Sequence, residues 1–292
     1  MIMKRCSLNI IALFITVLVF GFNTSAQQFK PNTEIGLFLG TSYYLGDLNT
    51  THFNDPLAAT GLIIRNNIDK RFSYKAELMY LNLRSYDNNP FDIRNSASIK
   101  REGLHFRSPV YELSGQLEFN FLPYQPGNPL HTWTPFIYTG VSLFYFNPQA
   151  EDATGQWLDL QELGTEGQGT QTLFDGEKEI REKYSLIQFA IPMGGGLKLA
   201  LSESFNIIFE YGFRKTFTDY LDDVSTTYVG PNVTNASPWP IDMTQDARDM
   251  SDQTKSHILG DQRGDPDKKD WYSFAGVTLS FKLNNSPKGC YP

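Results

Sequence analysis

The sequence contains little cysteine and has no excess of basic residues. Two cysteines occur in 292 residues, and 25 basic against 32 acidic residues give a formal net charge of −7. A nucleic-acid-binding domain carries a basic patch or stripe, so the composition indicates no nucleic-acid partner. The mean hydropathy of −0.34 also excludes a bundle of membrane helices.

The one long apolar run lies at the start of the chain. Lys4 and Arg5 precede NIIALFITVLVFGF, which ends in the small residues of NTSAQQ. This order is typical of a signal peptide, and it predicts residues 1–26 as the signal, cut between Ala26 and Gln27. A membrane anchor is the alternative, but the run is shorter than the roughly 20 apolar residues that a spanning helix needs. The protein is therefore expected to be exported.

The cysteines divide between the two ends of the chain. Cys6 precedes the apolar run and would leave with the signal, whereas Cys290 lies in the predicted C-terminal tail, residues 284–292. An odd cysteine in an exported protein indicates a free thiol or a bridge to another chain. Cys290 is accordingly the candidate contact with a partner.

Helical periodicity does not persist anywhere in the mature chain, but alternation with a period of two recurs. In the clearest run, VYELSGQLEFNF, Tyr111, Leu113 and Leu117 alternate with Glu112 and Glu118. Such alternation predicts half-buried strands. The eight runs are TEIGLFLGTSYY, ATGLIIRNN, FSYKAELMY, VYELSGQLEFNF, TPFIYTGVSLFYF, SLIQFAIPMGGGLKLAL, FNIIFEYGFRKTFTDYL and WYSFAGVTLSFKL.

The connections between these runs alternate in length. RNNIDKR, LPYQPGNPLHTW and SES are short, whereas the other four connections are long, polar and without apolar periodicity: Leu45 to Ala58, Arg84 to His105, Asn147 to Lys183, and Phe217 to Asp270. Four long loops at one end and short turns at the other are typical of outer-membrane barrels. Residues 27–283 are therefore predicted as an all-β, eight-stranded antiparallel up-and-down transmembrane β-barrel, with short periplasmic turns and long extracellular loops.

Alternation alone also fits a soluble sandwich or lipocalin-like barrel. Glycine and serine on the charged parity favour the membrane barrel, because a narrow eight-stranded lumen only just accommodates side chains. The mid-strand charges also balance, as charges confined away from water must. The opposite parity is largely uncharged and has aromatic residues near many strand ends. The predicted lumen charge network comprises Arg65, Lys75, Glu77, Glu112, Glu118, Lys198, Glu210 and Arg214.

Patterns typical of a metal, cofactor or catalytic site are weak. The four histidines have no metal-ligand spacing, and MGGGLK lacks the ending of a phosphate-binding loop. His105, near Arg107 and Ser108, and the acid pair Asp222–Asp223 are the only candidates for enzymatic chemistry. Solvated loop residues are the simpler interpretation, so no enzyme, no cofactor and no metal are expected.

Four segments resemble a known family. YYLGDLN, VYELSGQLEFNFLPY, TPFIYTGVSLFYFNP and FEYGFRKTFTDYLDDVS look like the PorG-type outer-membrane barrel of the type IX secretion system. The resemblance implies a non-enzymatic barrel that anchors a periplasmic ring, formed by a PorK-like lipoprotein and a PorN-like partner, to the outer membrane. It also implies a role in protein export and, where it occurs, gliding motility. It supplies no catalytic residues.

Two other functions stay open on the sequence. One is an outer-membrane binding or adhesion barrel whose long loops recognise an extracellular ligand. The other is a barrel enzyme that uses His105 or the Asp222–Asp223 pair at the outer rim.

Overall fold

A computed structural model of the chain describes residues 29, 31–87, 102–174, 177–230, 239–240 and 242–283, with backbone alone over 171–180. The chain divides into Met1–Lys30 and Pro31–Pro292, and all the elements below lie in the second unit. The predicted signal peptide and Cys290 lie outside the described residues.

Eight long strands make up the wall of a barrel, and short elements lie in its loops. In chain order the elements are β1 (Asn32–Leu45), β2 (Leu57–Asn67), β3 (Phe72–Tyr86), β4 (His105–Asn120), β5 (Trp133–Phe146), β6 (Gln149–Glu151), β7 (Trp157–Asp159), α1 (Leu160–Leu163), β8 (Gln171–Phe174), β9 (Glu177–Ile180), β10 (Ile187–Ala200), β11 (Phe205–Thr216), α2 (Gln245–Ser251) and β12 (Trp271–Leu283). No helix in the described part of the chain is long and apolar enough to cross a membrane.

The wall is a closed sheet in which every strand pairs antiparallel with its neighbours. β1 pairs with β2 on one side and with β12 on the other, so the first and last strands close the sheet. The remaining wall strands follow in chain order, with β10 beside β5 because β6–β9 belong to a loop. The prediction of an all-β, eight-stranded antiparallel up-and-down barrel is confirmed.

Side chains alternate across this wall in the sense expected of a membrane barrel. Leu62 and Val141 point outward and are 60% and 69% exposed, whereas Glu112 and Glu118 point inward and are fully buried. Successive residues of a strand face opposite sides, so the polar parity lies in the lumen and the apolar parity outside. A soluble barrel would have the opposite arrangement.

The two ends of the barrel differ in their connections. At the short-turn end, Asp69 Oδ1 accepts hydrogen bonds from the amides of Arg71 and Phe72, at 2.6 and 2.8 Å, and thereby stabilises the turn between β2 and β3. At the long-loop end, the excursions between β1 and β2, β3 and β4, β5 and β10, and β11 and β12 leave the wall.

Two of the long loops contain regular structure, although their sequences have no apolar periodicity. The loop between β5 and β10 contains β6–β9 and α1, and the loop between β11 and β12 contains α2, whose Thr244 side chain caps the Ala247 amide. The loop between β3 and β4 is also shorter than predicted, since β3 continues to Tyr86. The loop elements are only three to seven residues long, which is too short for a periodic apolar pattern to show them.

Candidate functional site: the filled lumen and the loop cap

All eight residues of the predicted charge network point into the barrel and are buried. Each of their side chains is at most 4% exposed, and they come from five of the eight wall strands. The network residues are Arg65 on β2, Lys75 and Glu77 on β3, Glu112 and Glu118 on β4, Lys198 on β10, and Glu210 and Arg214 on β11.

Glu118 is the centre of one half of the network. Arg65 binds it through two nitrogens, with Nε–Oε2 and Nη2–Oε1 distances of 2.7 and 3.1 Å. Lys198 Nζ donates to the same Oε2 at 2.6 Å, and Lys75 Nζ lies 3.8 Å from Oε1. Glu118 therefore compensates charges from three other strands, and a two-pronged arginine–carboxylate pair fixes its orientation.

The other half lies nearer the long-loop end. Arg214 Nε lies 2.8 Å from Glu112 Oε1, and Arg214 Nη2 lies 3.3 Å from Glu77. Lys75 Nζ donates to Glu210 at 2.7 Å and lies 3.4 Å from Glu77. The two halves therefore join through Lys75, and the charges form one connected set across the lumen.

Glu34 also belongs to this set, although it is not among the eight predicted residues. It is 1% exposed, and its Oε2 lies 3.2 Å from Arg65 Nη1 and accepts from the Ser280 hydroxyl. Its Oε1 accepts from Asn67 at 2.7 Å. The inward orientation of Glu34 could be predicted from the sequence, because Glu34 has the opposite parity to Ile35 in the first alternating run.

Aromatic rings and glycines fill the space between the charges. Tyr138 lies against Gly194 and Gly212, which face each other across β10 and β11, so that a Cβ on either glycine would overlap the Tyr138 side chain. The cations also contact the rings: Lys75 Nζ lies 4.4 Å from the Tyr138 centroid, and Arg214 lies 4.7 Å from that of Phe274. The inward glycines thus make room for rings, as a narrow lumen requires.

Parts of two long loops form a folded cap over the long-loop end of the barrel. We define the cap as the described residues of 147–186 and 217–270. Leu221 and Val224 of the cap are buried with Phe106, Phe144 and Tyr44 of the wall in one apolar cluster. The cap therefore packs into the mouth of the barrel.

A buried ion pair organises the interior of the cap. Glu166 accepts from the amide of Ser225 at 2.8 Å and from the Thr226 hydroxyl at 2.6 Å, and Arg263 Nη1 lies 3.0 Å from it. Arg263 also donates to the carbonyl of Asp223. A carboxylate with this many donors holds the two loops together, since each bond is charge-assisted.

A second buried cluster lies where the cap meets β1. The Tyr44 hydroxyl lies 2.6 Å from Asp222 Oδ2 and 2.7 Å from Asp270 Oδ1. One hydroxyl has one proton to donate, so both short contacts form together only when one of the two carboxyl groups is itself protonated. Burial accordingly raises the pKa of Asp222 and of Asp270 well above the usual value.

The neighbouring acids of the cap follow the same trend. Burial raises the pKa of Asp219 to about 7, and it raises that of Asp223 to about 6 although Arg263 and the Thr165 hydroxyl act in the opposite direction. The cap thus contains carboxyl groups that titrate near neutral pH rather than near pH 4.

We expect the cap to loosen as the pH rises. The pKa of Asp223 is about 6 in the folded state against an ordinary 3.8, so its contribution is complete below about pH 4 and is lost as the pH rises through 6. The loss for Asp223 is on the order of 3 kcal/mol of local stability. Asp219, with a pKa of about 7, extends the window upward. Hydrogen exchange of cap amides in detergent, corrected for intrinsic rates, should show falling protection between pH 5 and 8.

The matched variants for this prediction are Asp223→Asn and Asp267→Asn. The amide introduced by the first cannot ionise, so protection at pH 8 should rise in that variant and the pH dependence should flatten. Asp267 lies exposed on the same loop, and its variant should behave like the unmodified protein. Protection that is independent of pH, or an Asp267→Asn effect equal to that of Asp223→Asn, would show that ionisation of Asp223 does not loosen the cap.

The structure does not bring the candidate catalytic residues together. His105 Nε2 accepts from the Glu151 amide at 3.0 Å, whereas the Ser108 hydroxyl accepts from the Asn147 amide at 3.0 Å. The Asp222–Asp223 pair lies buried in the cap, with relative exposures of 1% and 0%. Within the described ranges, no three His, Cys, Asp or Glu side chains are arranged to hold a metal ion.

Sequence comparison relates the N-terminal half of the chain to a known family. The family described as "Domain of unknown function (DUF6089)" matches residues 9–158, just over half of the 292 residues. The chain belongs to this family. No curated protein matches the sequence.

Several solved structures are similar to this DUF6089 chain in fold. Neisserial surface protein A is 7% identical over 87% of this chain and 100% of its own, with a TM-score of 0.40. Ail of Yersinia pestis, solved with a heparin analogue, is 9% identical over 87% and 100%, with a TM-score of 0.39. The outer membrane protein OprG of Pseudomonas aeruginosa is 10% identical over 86% and 94%, with a TM-score of 0.32. Likenesses at this level carry no functional information.

Proposed function

We propose that this protein is a non-enzymatic barrel of the outer membrane that anchors the periplasmic ring of a type IX secretion system and so supports protein export. The observation that carries the proposal is the filled lumen, in which buried ion pairs and aromatic rings connect the wall strands. Such an interior suits a rigid scaffold, and it leaves function to the two rims. The PorG-type resemblance of four segments supplies the kind of partner.

In this proposal the outward apolar band contacts lipid, and the long-loop end faces the outside. The short-turn end then faces the periplasm, together with the tail that carries Cys290. The ring partners would be a PorK-like lipoprotein and a PorN-like protein, and Cys290 is the candidate contact with one of them. No cofactor takes part.

An affinity capture tests the anchoring role. The tagged full-length chain is purified from detergent-solubilised outer membranes, and the bound chains are identified by mass spectrometry. An unrelated eight-stranded barrel with the same tag, expressed at the same level, is the control. The proposal requires both ring proteins with this chain and neither with the control, and it requires that deletion stops export of proteins with a C-terminal sorting domain. The proposal is contradicted if the folded barrel is captured without the ring proteins, or if export is unchanged after deletion.

The Cys290 contact is tested separately on a non-reducing gel of the same membranes. A slower band that disappears with reductant and in Cys290→Ser indicates a bridge to another chain. Identical migration with and without reductant removes the bridge but leaves the anchoring role untouched.

The folded cap favours a second candidate, a barrel that binds an extracellular ligand through its loops. Buried groups such as Glu166 and Arg263 hold the cap in one arrangement, and preorganised loops bind with less ordering entropy to lose. Trimming the loop 147–183 separates the two functions. If export persists while surface binding is lost, the ligand-binding function is supported. If both export and surface binding persist, the ligand-binding function is ruled out.

A further inference from the structure

The outer face of β3 and β4 changes character step by step toward the long-loop end. Directly paired outward residues run from Leu78 with Leu113, through Tyr80 with Tyr111 and Asn82 with Pro109, to Arg84 with Arg107. The leucines are more than half exposed, as lipid-facing residues are. Tyrosine is enriched at the level of lipid head groups, so the arginine pair comes just beyond that level.

Two cations at directly opposed positions of paired strands ordinarily destabilise a sheet. Arg84 is compensated, because its Nε and Nη2 donate to Asp55 at 2.8 and 2.5 Å. Arg107 has no acidic partner among the described residues: its Nε donates to the Gln149 side-chain oxygen at 3.1 Å, and its guanidinium lies 3.8 Å from the centre of the Trp157 ring. Its two Nη groups therefore remain available to an anion.

Both arginines line an open groove on the outside of the barrel, which we call the rim groove. Its volume is about 560 Å³, and Leu57, Tyr80 and Trp157 contribute to its walls. It therefore combines one uncompensated cation with an apolar lining, and it opens directly above the exposed leucines of the same two strands.

We propose that the rim groove binds the phosphate-bearing head group of an outer-leaflet glycolipid. The guanidinium of Arg107 donates to the phosphate, while Arg84 stays paired with Asp55. Arginine suits this role because its planar fork matches two phosphate oxygens. The acyl chains of the same lipid would lie against Leu78 and Leu113, which a soluble anion could not use.

This inference depends on the orientation in the proposed function, since the rim groove meets the outer leaflet only if the long-loop end faces outside. It does not depend on the ring partners. The lipid would fix the depth of the barrel in the membrane and would contact β3, β4 and the cap strands β6 and β7 together.

Native mass spectrometry of the full-length chain in a non-ionic detergent tests the site. The chain is titrated with diphosphorylated lipid A and with the same lipid after removal of both phosphates. We expect the phosphorylated lipid to bind and Arg107→Gln to weaken binding about tenfold, which corresponds to the loss of one charge-assisted contact. Arg71→Gln removes the same charge from an exposed arginine at the short-turn end, and it should bind like the unmodified chain.

Heat-modifiable migration on a cold gel shows that each variant is folded. Should Arg107→Gln fail to fold, Arg107→Lys keeps the charge but not the fork, and it is expected to bind more weakly than the unmodified chain. Equal affinity of the Arg107 and Arg71 variants, equal binding of the phosphate-free lipid, or complete displacement by millimolar inorganic phosphate would overturn the proposal. None of these outcomes bears on capture of the ring proteins, so the two proposals can fail independently.

Discussion

Replacing Gly196 with valine is expected to prevent assembly of the barrel. Gly196 lies on β10 opposite Glu210 of β11 and Phe136 of β5. A side chain at this position would point into the lumen, as that of Lys198 does. A Cβ there would overlap the carbonyl oxygen of Phe209 and lie 3.0 Å from the Phe136 ring. The obstacle is backbone, which cannot move without breaking the ladder between β10 and β11, so rotamer changes give no relief.

The chain offers a close control for this prediction. Gly115 lies on β4 and points outward, and a Cβ there would meet nothing within 4 Å. Gly115→Ala should therefore fold normally, and Gly115→Val should lose little. The measurement is the fraction of protein that migrates as a compact barrel on a cold gel after extraction from membranes. A compact band for Gly196→Val comparable to that of Gly115→Val would show that the lumen is less tightly packed than described.

Replacing Glu118 with glutamine should be the most damaging isosteric change in the lumen. The substitution keeps the volume but removes the charge that compensates Arg65 and Lys198, both of which are fully buried. Breaking a buried ion pair from one side commonly costs about 3–5 kcal/mol, because the partner charge stays buried. The free energy of unfolding, measured by urea titration in lipid vesicles, should fall by about that amount.

Glu203→Gln is the matched control, since Glu203 is exposed in the turn between β10 and β11. Its effect should stay within about 0.5 kcal/mol, as is usual for surface substitutions. A fall for Glu118→Gln no larger than that of the control would mean that water reaches Arg65 and Lys198. The double replacement of Glu118 and Lys198 by apolar residues should recover part of the loss, because fewer charges then remain uncompensated.

The wall of the barrel could be predicted from the sequence because successive side chains of a strand point to opposite faces, so the pattern repeats every two residues. Once one residue such as Leu117 is placed outside, Glu118 and the rest of its parity are placed inside, over the whole length of β4. The same parity gives Arg65 and Arg214 without any knowledge of their partners. Glu34 obeys the same rule, since it has the opposite parity to the outward-facing Ile35.

The cap could not be predicted in this way. Tyr44 and Asp222 are 178 positions apart, and no local pattern connects them. Glu166 and Arg263 come from different loops, so their pairing depends on how both loops fold. Sequence alternation likewise gives no sign of α2, which is only seven residues long. Contacts of this kind form only when the loops and the end of the barrel have folded together, so no single segment predicts them.

The longest loop is closed at its base before it extends over the barrel. The Thr216 hydroxyl donates to the carbonyl oxygen of Asp270 at 2.6 Å, and the Asp270 amide donates to the Thr218 carbonyl oxygen at 3.1 Å. This clamp fixes both stems next to the wall, so the entropy of the intervening segment changes only slowly with its length. Insertions in an exposed stretch of this loop, such as 254–256, should therefore be tolerated far better than changes at Leu221 or Val224, which pack against the wall.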